Sequence, residues 1–350
     1  MIERVAFGGK GLGRLPSGKV CFVAGTIPGE TVTVDIQREK SGYAEANLAS
    51  VREASPERVK PPCPVYGECG GCAYQHIAYP RQLVIKRDQV AEVLSRIGGF
   101  RTLTVDDVVP SPKEYGYRNR ITVHTRGRYT GFYAPKSRRI VDVSRCLIAS
   151  DEVNAQLKTL RGSKPQDGER TLREEGSTYR GFRQVNSLAA DLLADIVTDQ
   201  MGDGGELLVD AYCGAGFFAK KLSSLFRSVI GIEWSADAVR AAREGVGPHE
   251  TYLLGDVREH LVPALKTASA ENTTLLLDPP AEGLDAAIPG IVLAHKPKRI
   301  VYVSCDPSTL ARDLKMLSSD YDLQRVVPVD MFPQTAEIEV VAVLQLRSQS

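Results

Sequence analysis

Hydrophobic and polar positions change their rhythm twice along this chain. Up to about residue 55 the runs are short and β-branched or alternating, as in Val20–Ala24 and Thr31–Ile36. Pro16-Ser17-Gly18 and Pro28-Gly29-Glu30 separate them as turns, which predicts a small β-barrel of about five strands over 1–55. Gly9-Lys10-Gly11-Leu12-Gly13 leads into another strand rather than a helix, so it is not a dinucleotide loop. Residues 56–180 open on a proline-rich linker. Leu83, Val90, Leu94 and Ile97 then share one helical face, which stops at Gly98-Gly99. Strands are expected around Arg120–Thr125 and Arg139–Val143, and the polar stretch Glu169–Gly176 reads as loop. This middle part is expected to be an α+β domain. Over 181–350 strands and helices alternate. Strands are predicted at Glu206–Asp210, Ser228–Glu233, Thr251–Asp256, Thr274–Asp278, Arg299–Ser304, Leu323–Asp330 and Ile338–Leu346. That is the βαβ rhythm of a doubly wound parallel sheet. Met331–Glu337 is too short for a parallel crossover, so the last two strands should form an antiparallel hairpin. The expectation is a multidomain α/β chain.

Composition narrows the class. Of 350 residues 43% are hydrophobic and 25% charged, which suits a globular chain. No run of about 18 apolar residues is present to span a membrane, and Met1-Ile2-Glu3-Arg4 shows no signal-peptide core. A cytoplasmic monomer is the expectation. The net charge of +1 conceals an asymmetry: residues 61–180 carry 20 basic and 13 acidic side chains, residues 181–350 carry 15 and 23. Nine basic residues lie between Lys113 and Arg145 against only Glu114 and Asp142. A phosphate-binding surface and a solvated charged face both fit that stripe. Tyr115, Tyr117, Arg118 and Arg120 mix aromatics with cations as single-stranded RNA contact requires, and Lys10, Arg14 and Lys19 cluster near one barrel loop.

Ligands of doubly wound sheets bind beyond the carboxyl ends of the strands. Here those ends read Asp210-Ala211-Tyr212-Cys213-Gly214-Ala215-Gly216, Glu233, Asp256, Asp278-Pro279-Pro280 and Ser304-Cys305-Asp306-Pro307. Glu233 stands where a carboxylate can accept both ribose hydroxyls. The glycine turn continues as Phe217-Phe218-Ala219 rather than a full nicotinamide fingerprint, and with Asp-Pro-Pro it favours S-adenosylmethionine (SAM). Asp-Pro-Pro alone also serves methylation of exocyclic amines, but there an aromatic residue usually follows, and position 281 is Ala. Cys305 precedes an apparent helix start, where the helix N-terminus is expected to lower its pKa and make it a nucleophile. A thiolate beside SAM and a basic surface points to carbon 5 of a uracil, which becomes nucleophilic once a thiolate adds at carbon 6. The adduct then needs a base, and the loop Phe332–Glu339 supplies Glu337 and Glu339 as candidates.

Cys63, Cys69, Cys72 and the distant Cys146 could hold zinc or an iron–sulfur cluster; spacing leaves both open. Together with Ser304-Cys305-Asp306-Pro307 they resemble the RNA uracil-5-methyltransferases that carry an N-terminal TRAM domain and an iron–sulfur cluster. The resemblance runs over nearly the whole chain. It implies Cys305 as nucleophile, Glu339 rather than Glu337 as base, and SAM contacts from Gln184, Tyr212, Glu233, Asp278 and Asp256. It also implies a [4Fe–4S] cluster on the four cysteines, with zinc as the lesser occupant. The expected activity is methylation of a uridine in structured RNA, ribosomal ahead of transfer RNA. The alternative is a non-catalytic RNA-binding or assembly factor. Three positions depart from the family pattern. Ala281-Glu282-Gly283 stands where an Arg is usual, Glu337 where a His is usual, and Phe217-Phe218 where a small polar residue is common.

Overall fold

The computed structural model describes residues 1–163, 165–175 and 184–348. Its first sheet comprises β1 (Ile2–Val5), β2 (Lys10–Arg14), β3 (Val20–Ala24), β4 (Thr31–Glu39) and β5 (Tyr43–Glu53), in the order β1-β2-β3-β5-β4. Ile2 exchanges backbone hydrogen bonds with Gly29 and Glu30, both at 2.8 Å, just ahead of β4. This brings the two edge strands together as the predicted barrel requires. Ile2, Cys21, Val23, Ala44 and Ala46 fill its centre.

The helix α1 (Tyr79–Val93) starts with Pro80 in its first turn, where the missing N–H costs nothing. After one wider turn over Leu94–Gly98, Gly99 takes a left-handed conformation (φ 82°) and returns its N–H to Leu94. A four-stranded sheet follows: β6 (Arg120–Arg126), β7 (Tyr129–Tyr133), β8 (Ile140–Asp142) and β9 (Gly168–Arg173), in the order β8-β7-β6-β9, with α2 (Asp151–Gly162) between β8 and β9. β9 corrects the expected loop at Glu169–Gly176, of which Gly176 lies outside the described residues. It is an edge strand that pairs with β6 from Arg120↔Arg173 to Thr125↔Gly168. Backbone pairing holds it there, so its polar side chains leave no hydrophobic signal.

Past Asn186, which caps α3 (Ser187–Asp199), comes the doubly wound unit. Its elements are β10 (Gly205–Ala211), α4 (Phe217–Leu222), β11 (Phe226–Glu233), α5 (Ala236–Ala242), β12 (Glu250–Leu254), α6 (Val257–Leu265), β13 (Thr273–Leu277), α7 (Ile288–His295), β14 (Arg299–Ser304), α8 (Pro307–Leu317), β15 (Tyr321–Val329) and β16 (Glu339–Leu346). The sheet order is β12-β11-β10-β13-β14-β16-β15. The first five of these strands pair in parallel, and β16 runs antiparallel between β14 and β15, so the predicted terminal hairpin is present. Strand alternation divides the core between two faces. Val209, Ile232, Leu275, Ile300 and Tyr302 join α6, α7 and α8 on one side. Leu208, Val229, Leu276, Val301 and Val303 join α3, α4 and α5 on the other. The stripe Val90, Val93 and Leu94 packs into the first of these cores with Leu310 and Leu314. The helix expected to serve the middle domain is therefore built into the wall of the doubly wound unit. Burial of each such Val or Leu stabilises the joint by about 1.5–3 kcal/mol.

Candidate active site

Strand register assembles the candidate residues on one rim. Ala211 lies level with Ile232 and Leu277, which puts Tyr212 beside Glu233 and Asp278. Ser304 lies opposite Val340 across the antiparallel pair, so Cys305 faces Glu339. The glycine turn is tight: Tyr212, Gly214 and Gly216 all have positive φ (69°, 54° and 79°). A Cβ on Gly216 would press to 3.0 Å from the Tyr252 ring. Phe218 is buried in the core, so this departure from the family pattern serves packing. Glu233 accepts from the N–H of Gly214 (3.1 Å) and of Ser235 (2.7 Å), which fixes its carboxylate at the strand end. Each oxygen keeps a lone pair for a hydroxyl.

Besides Glu233, four acids share this end of the sheet. Asp210, not singled out as a site residue from sequence, is fully buried. One of its oxygens accepts from Ala219 (3.1 Å), and Oδ1 has no partner among the described residues. Burial first, and then Asp278, raise its pKa well above the usual range. Burial lifts Asp278 to about 7. Glu339 is also raised well above its ordinary value, by burial and then by Asp278 and Glu337. An orphaned oxygen among carboxyls that resist ionisation is a surrounding suited to a cation. Asp256 caps α6 through Arg258 N (2.8 Å) and pairs with the Arg258 guanidinium (2.7 Å), so its carboxylate is engaged. Gln184 lies ahead of α3 with its carbonyl held by Asn119 (2.9 Å).

Cys305 is exposed on the rim, but its thiol is not activated in the expected way. Its pKa is pushed up to about 12, by burial first and then by Glu339 and Asp278. The helix N-terminus gives it little help, because Asp306 is the cap. That carboxylate accepts from Ser308 N (2.7 Å) and Thr309 N (3.2 Å), takes up the free N–H groups and adds its own negative charge. The loop after Asp-Pro-Pro lacks the usual Arg, yet an Arg reaches it from α8: Arg312 donates to the carbonyl of Glu282 (3.0 Å). Gly283 is left-handed there (φ 78°), and a Cβ would fall 2.6 Å from the buried Asp313 carboxylate.

The loop carrying Glu337 and Glu339 is clamped from outside the sheet. Lys86, fully buried, donates to Asp330 (2.6 Å) and to the carbonyl of Phe332 (3.1 Å). Tyr117 donates to the carbonyl of Pro333 (2.9 Å), and Ala73 and Tyr74 both donate to that of Gln334 (2.9 Å each). Gln334 is left-handed (φ 70°); the Gln82 side-chain amide donates to its Oε1 and accepts from its backbone N–H. From the barrel, Gly9 lies against the loop so closely that a Cβ would come 3.2 Å from Ala336. Sequence reasoning missed this clamp; a lysine and two glutamines on the buried side of an amphipathic helix were its only signal.

Tyr117 is thus buried against the loop, and Arg118 pairs with Glu337 (3.2 Å), so neither is free to stack on RNA as expected. Lys113, Tyr115 and Arg145 line an open groove of about 730 Å³. In the barrel, Lys10, Arg14 and Lys19 each pair with a carboxylate, from Glu45, Glu3 and Glu39. Cys63, Cys69, Cys72 and Cys146 are unpaired thiols that line a single cavity of about 330 Å³ with Arg118 and Gln75. Among the described residues no three His, Cys, Asp or Glu side chains converge as a single metal ion demands, so a metal centre is not shown. No helix among them is long and apolar enough to cross a membrane.

Known proteins resemble this chain over nearly its whole length. A TRAM domain profile matches residues 1–49, and the tRNA (Uracil-5-)-methyltransferase profile matches residues 169–347. An uncharacterized RNA methyltransferase of Listeria innocua is 30% identical over 99% of this chain and 97% of its own length. Another, from Nostoc sp., is 33% identical over 98% and 94%. The solved Pyrococcus abyssi tRNA (uracil-54, C5)-methyltransferase in complex with S-adenosyl-L-homocysteine superposes with a TM-score of 0.75 at 25% identity, covering 98% of this chain and 99% of that one. Profile and relatives span all three sheets, and on their joint account this chain belongs to the tRNA (uracil-5-)-methyltransferase family of RNA methyltransferases.

Proposed function

We propose that this chain methylates carbon 5 of a uridine in structured RNA, with Cys305 as nucleophile and Glu339 as base. The observation that carries the reading is the register that sets Cys305 against Glu339 on the rim shared by Tyr212, Glu233 and Asp278. SAM, when bound, supplies the methyl group that carbon 5 takes up as a thioether leaves. The Cys305 thiolate adds to carbon 6 and makes carbon 5 electron-rich. Glu339 then accepts the carbon-5 proton, and the electrons of that C–H bond restore the ring double bond and expel the thiolate. Tyr212, Glu233, Asp278, Gln184 and Asp256 would hold SAM, the Glu233 carboxylate accepting the ribose hydroxyls. A cation at this acidic rim lowers the cost of forming a thiolate at Cys305.

By the family resemblance the four cysteines would hold a [4Fe–4S] cluster, with zinc the lesser occupant; all four line one cavity, and a group bound there would cross-link the Cys63–Cys72 segment to Cys146. Ribosomal RNA is the proposed substrate class. Transfer RNA is the second reading, favoured by the activity of the Pyrococcus neighbour. Nucleoside analysis of both RNAs from a deletion strain decides between them, and loss of 5-methyluridine from neither removes the enzymatic reading. In vitro, Cys305→Ala should abolish transfer while SAM still binds, read from the emission of Trp234, the one tryptophan, next to Glu233. Turnover by Cys305→Ala would refute the mechanism.

A further inference from the structure

Arg118 lies where the cysteine cavity and the hairpin loop meet. Its backbone is pinned on both sides: N–H to the carbonyl of Ile148 (2.8 Å), carbonyl from the N–H of Ser150 (2.9 Å). Its side chain is 23% exposed and lines the cavity of the four cysteines. From there the guanidinium reaches the loop at two points, 5.8 Å from the Phe332 ring centre and 3.2 Å from the Glu337 carboxylate. Nε is buried and has no hydrogen-bond partner among the described residues. Glu337 has its N–H on the Thr335 hydroxyl (3.2 Å), and its carboxylate is paired with Arg118. A carboxylate thus stands two residues before Glu339, where the family usually has a histidine, and the Arg118 guanidinium meets it.

We propose that Arg118 and Glu337 work as one positioning unit, a charge latch that keeps the loop in the register that sets Glu339 against Cys305. The inference rests on the roles given above to Glu339 and Cys305. An ion pair half open to water contributes about 1 kcal/mol or less, so its loss should slow turnover about fivefold rather than abolish it. Arg118 also loses its contact with Phe332, and about tenfold is expected there.

The test is a cycle of Arg118→Met, Glu337→Gln and the double variant in the full chain as purified. Iron content, visible absorbance and SAM binding should match wild type in all three. Both single variants should lower kcat and leave KM for SAM unchanged, and the double should be within about twofold of Arg118→Met. Losses that multiply would overturn the latch. The pH profile gives opposite signs. The charged or titratable groups around Glu339 are Asp278 at the end of β13, Cys305 at the end of β14 and Glu337, with the Lys86–Asp330 pair at the far end of the loop. Only Glu337 and its partner change in the cycle. In Arg118→Met the unpaired Glu337 disfavours ionisation of Glu339, moving the acidic limb of kcat to higher pH. Glu337→Gln moves it lower, and the double variant brings it back. A shift of the same sign in both single variants would sink the proposal. If wild type forms no covalent adduct with 5-fluorouridine RNA, the proposed chemistry has failed and the latch is read by hydrogen exchange. Amides of residues 334–338 should then exchange faster in both single variants, and unchanged protection would refute it.

Discussion

At Cys305 the thiol and two carboxyls oppose each other's ionisation. Thiol and Glu339 face one another across the β14–β16 pair, and Asp278 lies between them and the glycine turn. The motif around Cys305 was legible in sequence because a cysteine before Asp-Pro at a strand end marks a rim. Its acidity was not, because Asp306 caps the helix whose N-terminus would have stabilised the thiolate. Glu339→Gln keeps the nucleophile and removes the proton acceptor. It should accumulate a denaturation-resistant protein–RNA complex on ordinary uridine RNA, visible as a shifted band on a denaturing gel. Glu337→Gln should turn over more slowly without trapping. The reverse result would assign the base to Glu337.

The hairpin loop is the element on which the site depends, and its support comes from α1. Its existence was readable from a connection too short for a parallel crossover. Its conformation was not, because Lys86 and Gln82 lie 244 and 252 residues from their partners. A buried ion pair is weak evidence of stability, but breaking one half leaves a charge uncompensated. Lys86→Met should therefore destabilise the protein by about 3–5 kcal/mol, measured by urea unfolding. Lys86→Met with Asp330→Leu should recover most of that loss. A Lys86→Met protein as stable as wild type would show that the buried pair contributes nothing to stability. β9 shows the opposite limit: a largely polar edge strand, set chiefly by backbone pairing, which periodicity reads as loop.

Over the whole molecule the acidic rim sets the pH response. Asp210, Asp278 and Glu339 all have raised pKa values in the fold. A carboxyl raised in this way contributes stability in full below its unfolded pKa of about 4, and that contribution is lost as pH rises through the folded value. For Asp278 that value is about 7. The thermal midpoint of the ligand-free protein should fall between pH 6 and 9 in scanning calorimetry. Asp210→Asn, which cannot ionise, should flatten the slope. A midpoint that rises over this range would show that the rim carboxyls are already ionised.

The sequence alone determined the succession of strands and helices along the chain, the glycine turn, the rim positions of Glu233 and Cys305, and the terminal hairpin. Each follows from local rhythm or from residue types that gather at strand ends. Tertiary structure decided that α1 belongs to the wall of the doubly wound core, that Tyr117 and Arg118 turn inward to the loop, and that four distant cysteines share one cavity. It also decided the charge state of the rim, because the pKa of a carboxyl or thiol depends on which groups the fold brings beside it. Periodicity reports which side of an element is buried. It is silent on what that side meets, and the loop that carries Glu339 is positioned entirely by such meetings.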